Sequence, residues 1–250
     1  MEVKFLGVRG STATPGNGFS EFGGNTSCTE VLHNNFQVIL DAGTGFKDVK
    51  IRKDIPVPDS IDILLLTQGL PDHTHPPSLE LLNRSVSVIC SPSAFKVVER
   101  LGFWKKQKLV PGEVTNFASI FIEATEGARV PTIENGYIVS NENCSFYIEP
   151  HGYLDKNIKS RQIDTVITPV VNLSLPLAGS FIKGKSVLPD LIKELHPKTL
   201  ISSTTGGDAI FTGLLNNFIS VEGSIEEANL KLMNRVRFID PEVGKSYSIN

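Results

Sequence analysis

Cysteine is scarce in this sequence. The three present, Cys28, Cys90 and Cys144, leave one thiol over under any disulfide scheme, and none lies in the CxxC spacing of a zinc site. A disulfide framework is thereby excluded, and a reducing cytoplasm or organelle stroma is the expected compartment. Long apolar runs are missing too: no window approaches the ~18 residues a membrane helix needs. Met1 to Arg9 reads as a strand rather than a secretory leader, because its apolar run is short and no small-residue cleavage site follows. Basic clustering is limited to Lys105, Lys106 and Lys108 in a chain of net charge −3. That run is expected at a solvated loop or helix end, and it leaves no electrostatic footprint for nucleic acid or a membrane surface. Nucleotide motifs are absent as well, since Gly7, Gly10, Gly23 and Gly24 lack the GxGxxG spacing before a helix. Gly184-Lys185-Ser186 likewise lacks the upstream glycine of a phosphate loop. Tryptophan occurs once, and Trp104 beside Phe103 is expected to be a packing anchor.

What is present is an ordinary globular composition, 40% hydrophobic and 20% charged over 250 residues, which a single domain spanning 1–250 can bury. Val3 to Val8 is a strand candidate. After a Gly/Ser/Thr/Pro/Asn loop from Arg9 to Gly24 come Cys28 to His33 and Gln37 to Asp41, flanking Asn34-Asn35 as a hairpin connection. Cys28 falls within a strand and is expected to pack as a small hydrophobe. Asp62 to Thr67 is the unbroken apolar run of a strand covered on both faces. Ser78 to Leu82 can begin a helix after Pro76-Pro77. Val86 to Cys90 repeats the strand signal, and Pro92 to Leu101 has helical spacing. Short strands return at Ser119 to Ala124, Gly136 to Ser140 and Ser145 to Ile148. Asp164 to Thr168 is another buried strand, Ser186 to Leu195 an amphipathic helix, and Thr199 to Ser203 a strand after it. Two β-rich halves, each with helices, point to two central sheets with helices outside.

Asp72, His73, His75, Glu149 and His151 are the one cluster of metal-type side chains, since His33 and His196 stand alone. Three histidines and two carboxylates suffice for a mononuclear site. The alternative is that Asp72 and His73 only tie down the turn after the strand. Asp41, at a strand end before glycine, reads as a turn-stabilising group. Ser202 to Thr205 forms a hydroxyl-rich turn in which Ser203 and Thr204 read as pocket lining, because no neighbouring base marks a nucleophile.

Several pieces in order resemble the metallo-β-lactamase superfamily over most of the chain. They are Gly7 to Ser11, Gly23-Gly24-Asn25-Thr26-Ser27-Cys28, Leu40-Asp41-Ala42-Gly43, and Leu64-Leu65-Leu66-Thr67 followed by Asp72-His73. The resemblance implies an α/β (α+β) metallo-β-lactamase-type αββα sandwich, two central mixed β-sheets with helices on both outer faces, and hydrolysis of a phosphate or other ester. It places Asp41 behind a metal-binding loop, with Asn25 and Gln68 in the pocket. Members of that kind carry Thr-His-x-His-x-Asp-His where this chain has Thr67-Gln68-Gly69-Leu70-Pro71-Asp72-His73. Neither an amide nor an alkyl chain replaces imidazole as a zinc ligand. The next histidine would fall near Gly127-Ala128-Arg129 and is missing. Glu149 is one residue out of register with the bridging aspartate, and the final histidine is replaced by the turn from Ser202. The chain more nearly resembles a divergent branch with Asp72-His73-Thr74-His75 and Glu149-Pro150-His151-Gly152.

Three functions remain open. The first is a hydrolase acting on a small molecule through at most one divalent metal ion, zinc by preference, with Asp72, His73, His75, Glu149 and His151 as ligands and Asp72 and His73 catalytic. The second is a metal-free binding or scaffolding protein that kept the fold. The third is metal-free catalysis with His73 or His151 as general base.

Overall fold

The fold was obtained as a computed structural model, which describes residues 1–7, 28–33, 36–42, 60–129, 132–176, 179–203, 219–233, 235–242 and 244–249. The Arg9 to Gly24 loop and the Asn34-Asn35 connection lie outside them. The chain forms two compact units, the first on Met1–Val110 with Glu242–Ser248 and the second on most of the remainder.

The first unit is built on seven strands: β1 (Glu2–Gly7), β2 (Cys28–His33), β3 (Phe36–Leu40), β4 (Ile63–Leu66), β5 (Ser87–Cys90), β6 (Lys105–Lys108) and β17 (Ser246–Ser248). Their order is β17-β1-β2-β3-β4-β5-β6. From β17 to β3 neighbours run antiparallel, and from β3 to β6 they run parallel. Every residue of β4 is buried, as a four-residue apolar run with no polar face demands. Leu64 and Leu66 pack with Leu79, Ala94 and Val98 from the helices α1 (Pro76–Leu79) and α2 (Pro92–Arg100). Each such side chain removed from water contributes roughly 1.5–3 kcal/mol. Helix α2 begins where the sequence places it, with Pro92 in its first turn and Ser91 Oγ accepting from Ala94 N at 3.3 Å. Helix α1 starts two residues earlier than expected, at the prolines themselves, and lasts one turn.

Two expectations fail here for a clear reason. The Lys105–Lys108 run is neither loop nor helix end but the edge strand β6, where charged side chains discourage pairing with another chain. Phe103 is buried but Trp104 is 76% exposed, so only the phenylalanine anchors. Trp104 N donates to Arg84 O as the backbone extends into β6, and alternation turns the next side chain outward.

The second unit repeats the plan. Its sheet holds β7 (Val114–Phe117), β8 (Ile120–Arg129), β9 (Ile133–Ser140), β10 (Ser145–Ile148), β11 (Thr165–Thr168), β14 (Thr199–Ser202) and β16 (Arg237–Ile239), in the order β16-β14-β11-β10-β9-β8-β7. Strands β7 to β10 pair antiparallel, and β10, β11, β14 and β16 pair parallel. A three-stranded sheet, β13 (Gly179–Lys183), β12 (Asn172–Leu175) and β15 (Ser220–Glu222), completes the unit. Helices α3 (Gly184–Leu195) and α4 (Ile225–Leu232) pack Leu188, Leu191, Leu195, Ala228 and Leu232 against Tyr147, Val166 and Leu200 of the large sheet. His196, solitary in the sequence, caps α3 in the left-handed conformation, φ 46°. Among the described residues no helix is long and apolar enough to cross a membrane.

Candidate metal centre

The parallel strands of each sheet end in turns that carry polar side chains, and each unit forms its own buried cluster. In the first, β3 runs into Asp41, a residue at φ 53° that an aspartate tolerates better than most side chains. Asp41 Oδ1 accepts from Thr67 N at 2.8 Å and Oδ2 from Thr67 Oγ1 at 2.8 Å. His73 Nδ1 lies 2.7 Å from Asp41 Oδ2, so the imidazole is held by a carboxylate as well as by packing. Its Nε2 is 3.6 Å from Asp72 Oδ2. Ala42 N donates to His73 O and His75 N to Ala42 O, which stitches the turn after β4 to the end of β3. His75 caps α1, with Nδ1 2.9 Å from Ser78 Oγ. The structure therefore gathers Asp41, Asp72 and His73, and gives His75 a helix-terminal contact.

Gln68 follows β4 at 1% exposure, and neither Nε2 nor Oε1 of its amide has a hydrogen-bond partner among the described residues. A buried amide in that state costs about 1–3 kcal/mol. Gln68→Met, of similar length and apolar, is expected to raise stability by about 1–2 kcal/mol. Denaturant unfolding measures it, and a loss of stability would show that the amide is engaged. Leu70 is half-buried and brings no donor. Gly69 is required where it stands, because a Cβ there would lie 2.6 Å from Ser93 O.

In the second unit Glu134, Glu149 and His151 bring ligand atoms within 4.8 Å of one another, all three buried. Glu149 closes β10. Its Oε1 accepts from Ala128 N at 3.2 Å, and its Oε2 from His151 N at 3.0 Å and Tyr153 N at 2.7 Å. The backbone of Ala128 thus engages the carboxylate in the stretch where the superfamily resemblance expects a histidine. His151 Nδ1 lies 2.8 Å from Glu134 Oε2. Burial pushes the Glu149 carboxyl up to about 7, with Glu134 adding to the shift, while His151 and the N–H groups of Ala128 and His151 pull it back.

The turn that carries His151 is fixed by a close backbone crossing. Gly152 sits at φ 74°, where a Cβ would lie 2.4 Å from Gly184 N, and Lys183 N donates to His151 O at 2.8 Å. Only glycine permits both the positive φ and the approach. Beside the cluster, Thr168 and Ser202 end the paired strands β11 and β14, their hydroxyls buried without a partner among the described residues. Ser203 is buried and donates its N–H to Thr168 O at 3.0 Å. Asn25 and Thr204 lie outside the described residues.

Glu134 is the member that sequence reasoning missed. It precedes Gly136, where the strand was expected to start, in an Asn/Gly stretch that reads as a turn. Strand β9 begins instead at Ile133, and Glu134 falls at the irregularity in its pairing with β8, between Ile133 and Asn135, with its side chain buried. Nothing in the local pattern Ile133-Glu134-Asn135-Gly136 marks it as a site residue.

The Thr-His-x-His-x-Asp-His pattern of the resemblance implies a pair of zinc ions, against which these donors can be set. The first unit offers Asp72 and His73, with an amide and an alkyl chain in the other two places, and this does not fit half of a metal pair. Two carboxylates and one imidazole in the second unit do fit one divalent ion with positions left open.

Comparison with known proteins agrees with the architecture. The family model described as "Beta-lactamase superfamily domain" matches residues 22–203. The metallo-beta-lactamase fold protein YhfI from Bacillus subtilis is similar at TM-score 0.67 and 14% identity, over 99% of each chain. Zinc-bound PqqB from Methylobacterium extorquens is similar at TM-score 0.64 and 12% identity, over 99% of this chain and 100% of its own. The short form of human tRNase Z gives TM-score 0.64 and 12% identity, over 100% of both chains. At such identities the likeness shows the metallo-β-lactamase fold, which the two mixed sheets and their helices carry. A search of curated protein sequences returns no match.

Proposed function

The chain belongs to the beta-lactamase superfamily, and from that premise we propose that it is a hydrolase of a small ester, phosphate or other, using one divalent metal ion, zinc by preference. The observation that carries this reading is the convergence of Glu134, Glu149 and His151 in a buried cluster. Glu149 and His151 are the donors expected from sequence, and Glu134 replaces the ligands that the chain lacks. An ion held there supplies Lewis acidity toward an ester oxygen. Solved structures of the same fold include one described as zinc-bound and one described as a tRNase, which is consistent with metal-dependent ester hydrolysis.

The chain's own residues have separable roles in this reading. Three backbone N–H groups aim the Glu149 carboxylate, and Glu134 orients the His151 ring through Nδ1. In the first unit, Asp41 holds the His73 imidazole in one orientation and leaves Nε2 beside Asp72. That arrangement gives the first unit its own candidate for proton handling, His73, with Asp72 as its support. His75 and Ser78 form a helix-terminal pair outside the chemistry.

One observation favours a second reading, the metal-free binding protein: both Glu149 oxygens are engaged by backbone and His151 is paired with Glu134, so protons alone can hold the cluster together. Metal analysis of protein purified without chelator separates the two. The hydrolase reading expects about one equivalent, the capacity of a three-donor site, with turnover of nitrophenyl esters that is lost on chelation and regained with zinc. Generic phosphodiesters are expected to turn over poorly. No metal after incubation with zinc establishes the binding protein, and two equivalents with robust phosphodiester hydrolysis would refute the ligand count.

A further inference from the structure

A second binding feature lies away from the acidic cluster, between α3 and α4 of the second unit. Lys185, Leu188, Pro189 and Ile192 recur at i, i+3, i+4 and i+7 on α3, and Ser224, Glu227, Ala228 and Lys231 do so from the cap of α4 onward, so one face of each helix borders the same groove. The groove is open along one side and holds about 290 Å³. Its apolar side is formed by Val170, Leu188, Ala228 and Leu232, all buried. Pro189 adds its exposed ring to that wall, inside the helix, where it gives up the i→i−4 bond to the carbonyl of Lys185.

The charged side is unbalanced. Lys185, Lys231 and Arg235 line the groove against a single carboxylate, Glu227. Glu227 is shared, with Oε1 2.6 Å from Lys231 Nζ and Oε2 3.3 Å from Lys185 Nζ. Lys185 has a further partner in Glu222 at 3.3 Å. The Arg235 guanidinium makes no ion pair among the described residues, and the residue stands in the turn after α4, its backbone N–H donating to Leu232 O at 2.9 Å. An apolar trough with cations in excess at its border is complementary to a molecule with a hydrocarbon body and one anionic end.

We propose that the α3–α4 groove binds a small amphipathic monocarboxylate with a saturated chain of about eight carbons. The length follows from the volume, which equals about ten water molecules at ~30 Å³ each, and octanoate has that number of non-hydrogen atoms. The chain lies on Val170, Leu188 and Leu232, and the carboxylate meets Lys231 and Arg235. This site is independent of the metal-centre reading, because it uses none of the same residues.

Calorimetric titration of octanoate into the full chain tests it. Saturable binding below about 1 mM is expected, with 1-octanol at least tenfold weaker because it lacks the charge, and acetate too weak to detect because it lacks the chain. The double variant Lys231→Gln with Arg235→Gln is expected to lose at least tenfold in affinity. Both side chains are exposed, so the fold survives, and an unchanged melting curve verifies that. Absence of saturable heat, equal affinity for octanol, or full affinity in the double variant would each overturn the proposal. Inorganic phosphate displacing octanoate at equal affinity would overturn it too, by showing an anion site without a hydrocarbon subsite.

Discussion

Replacing His151 with alanine is expected to reduce bound metal from about one equivalent to near zero, because a two-carboxylate remnant falls short of the three protein donors that such sites need. His151 is the only nitrogen donor of the cluster, and its loss also leaves the Glu134 carboxylate buried without the imidazole 2.8 Å away. Losing a charged or hydrogen-bonded partner in the interior costs about 1–3 kcal/mol, so the variant melts lower but still folds on the rest of the second unit's core. Metal content and a near-native circular dichroism spectrum together measure the effect. Full metal retention would remove Glu134, Glu149 and His151 from consideration as ligands. The pH dependence has a definite sign. Ligands bind metal in their deprotonated forms, and burial pushes the Glu149 carboxyl up to about 7, so protons compete more strongly as pH falls and metal content drops below neutrality. The same titration on Glu149→Gln removes that competitor together with a ligand, and metal stays low at every pH.

The second large effect concerns Asp41. Its carboxylate accepts from Thr67 N, Thr67 Oγ1 and His73 Nδ1 at 2.8, 2.8 and 2.7 Å, at 2% exposure. Asp41→Ala strands a buried backbone N–H and a buried imidazole, and alanine tolerates the left-handed backbone less well than aspartate. The expected loss is about 3–5 kcal/mol, a large share of the ~5–15 kcal/mol that holds a domain together. Asp41→Asn keeps the shape and tolerates the left-handed backbone, but it turns one acceptor into a donor facing another donor, and it should lose about 2–3 kcal/mol. Denaturant unfolding of the three proteins gives the order wild type, Asn, Ala. A loss below 1 kcal/mol in the alanine variant would mean that the turn carrying His73 is held by its backbone bonds alone.

Much of the sheet architecture could be read from the chain. The run Ile63–Leu66 had no polar face and became a strand buried throughout. Helix α2 starts at Pro92, the residue from which helical spacing was expected. Segments that depend on distant partners could not be read so well. Lys105–Lys108 carries no strand signal, and it pairs because β5 presents a free edge in register with it. The residues after Ser203 gave no expectation of α4, β15 or β16, since short elements with mixed faces are selected by packing and not by local periodicity. The repetition of an antiparallel half and a parallel half in both sheets left no trace of internal similarity in the residues.

The candidate site divides along the same line. Residue types alone determined that two histidine positions of the superfamily pattern are Gln68 and Leu70, and that Asp72, His73, Glu149 and His151 are the donors near strand ends, because chemistry at a position is a property of the side chain. Tertiary structure decided which donors meet. The irregularity in the pairing of β8 with β9 leaves Glu134 buried beside His151, and the end of β10 delivers Glu149 to three backbone N–H groups. Strand register, set by hydrogen bonds between segments far apart in the chain, aims side chains to one face or the other, and no local pattern around Glu134 encodes that choice.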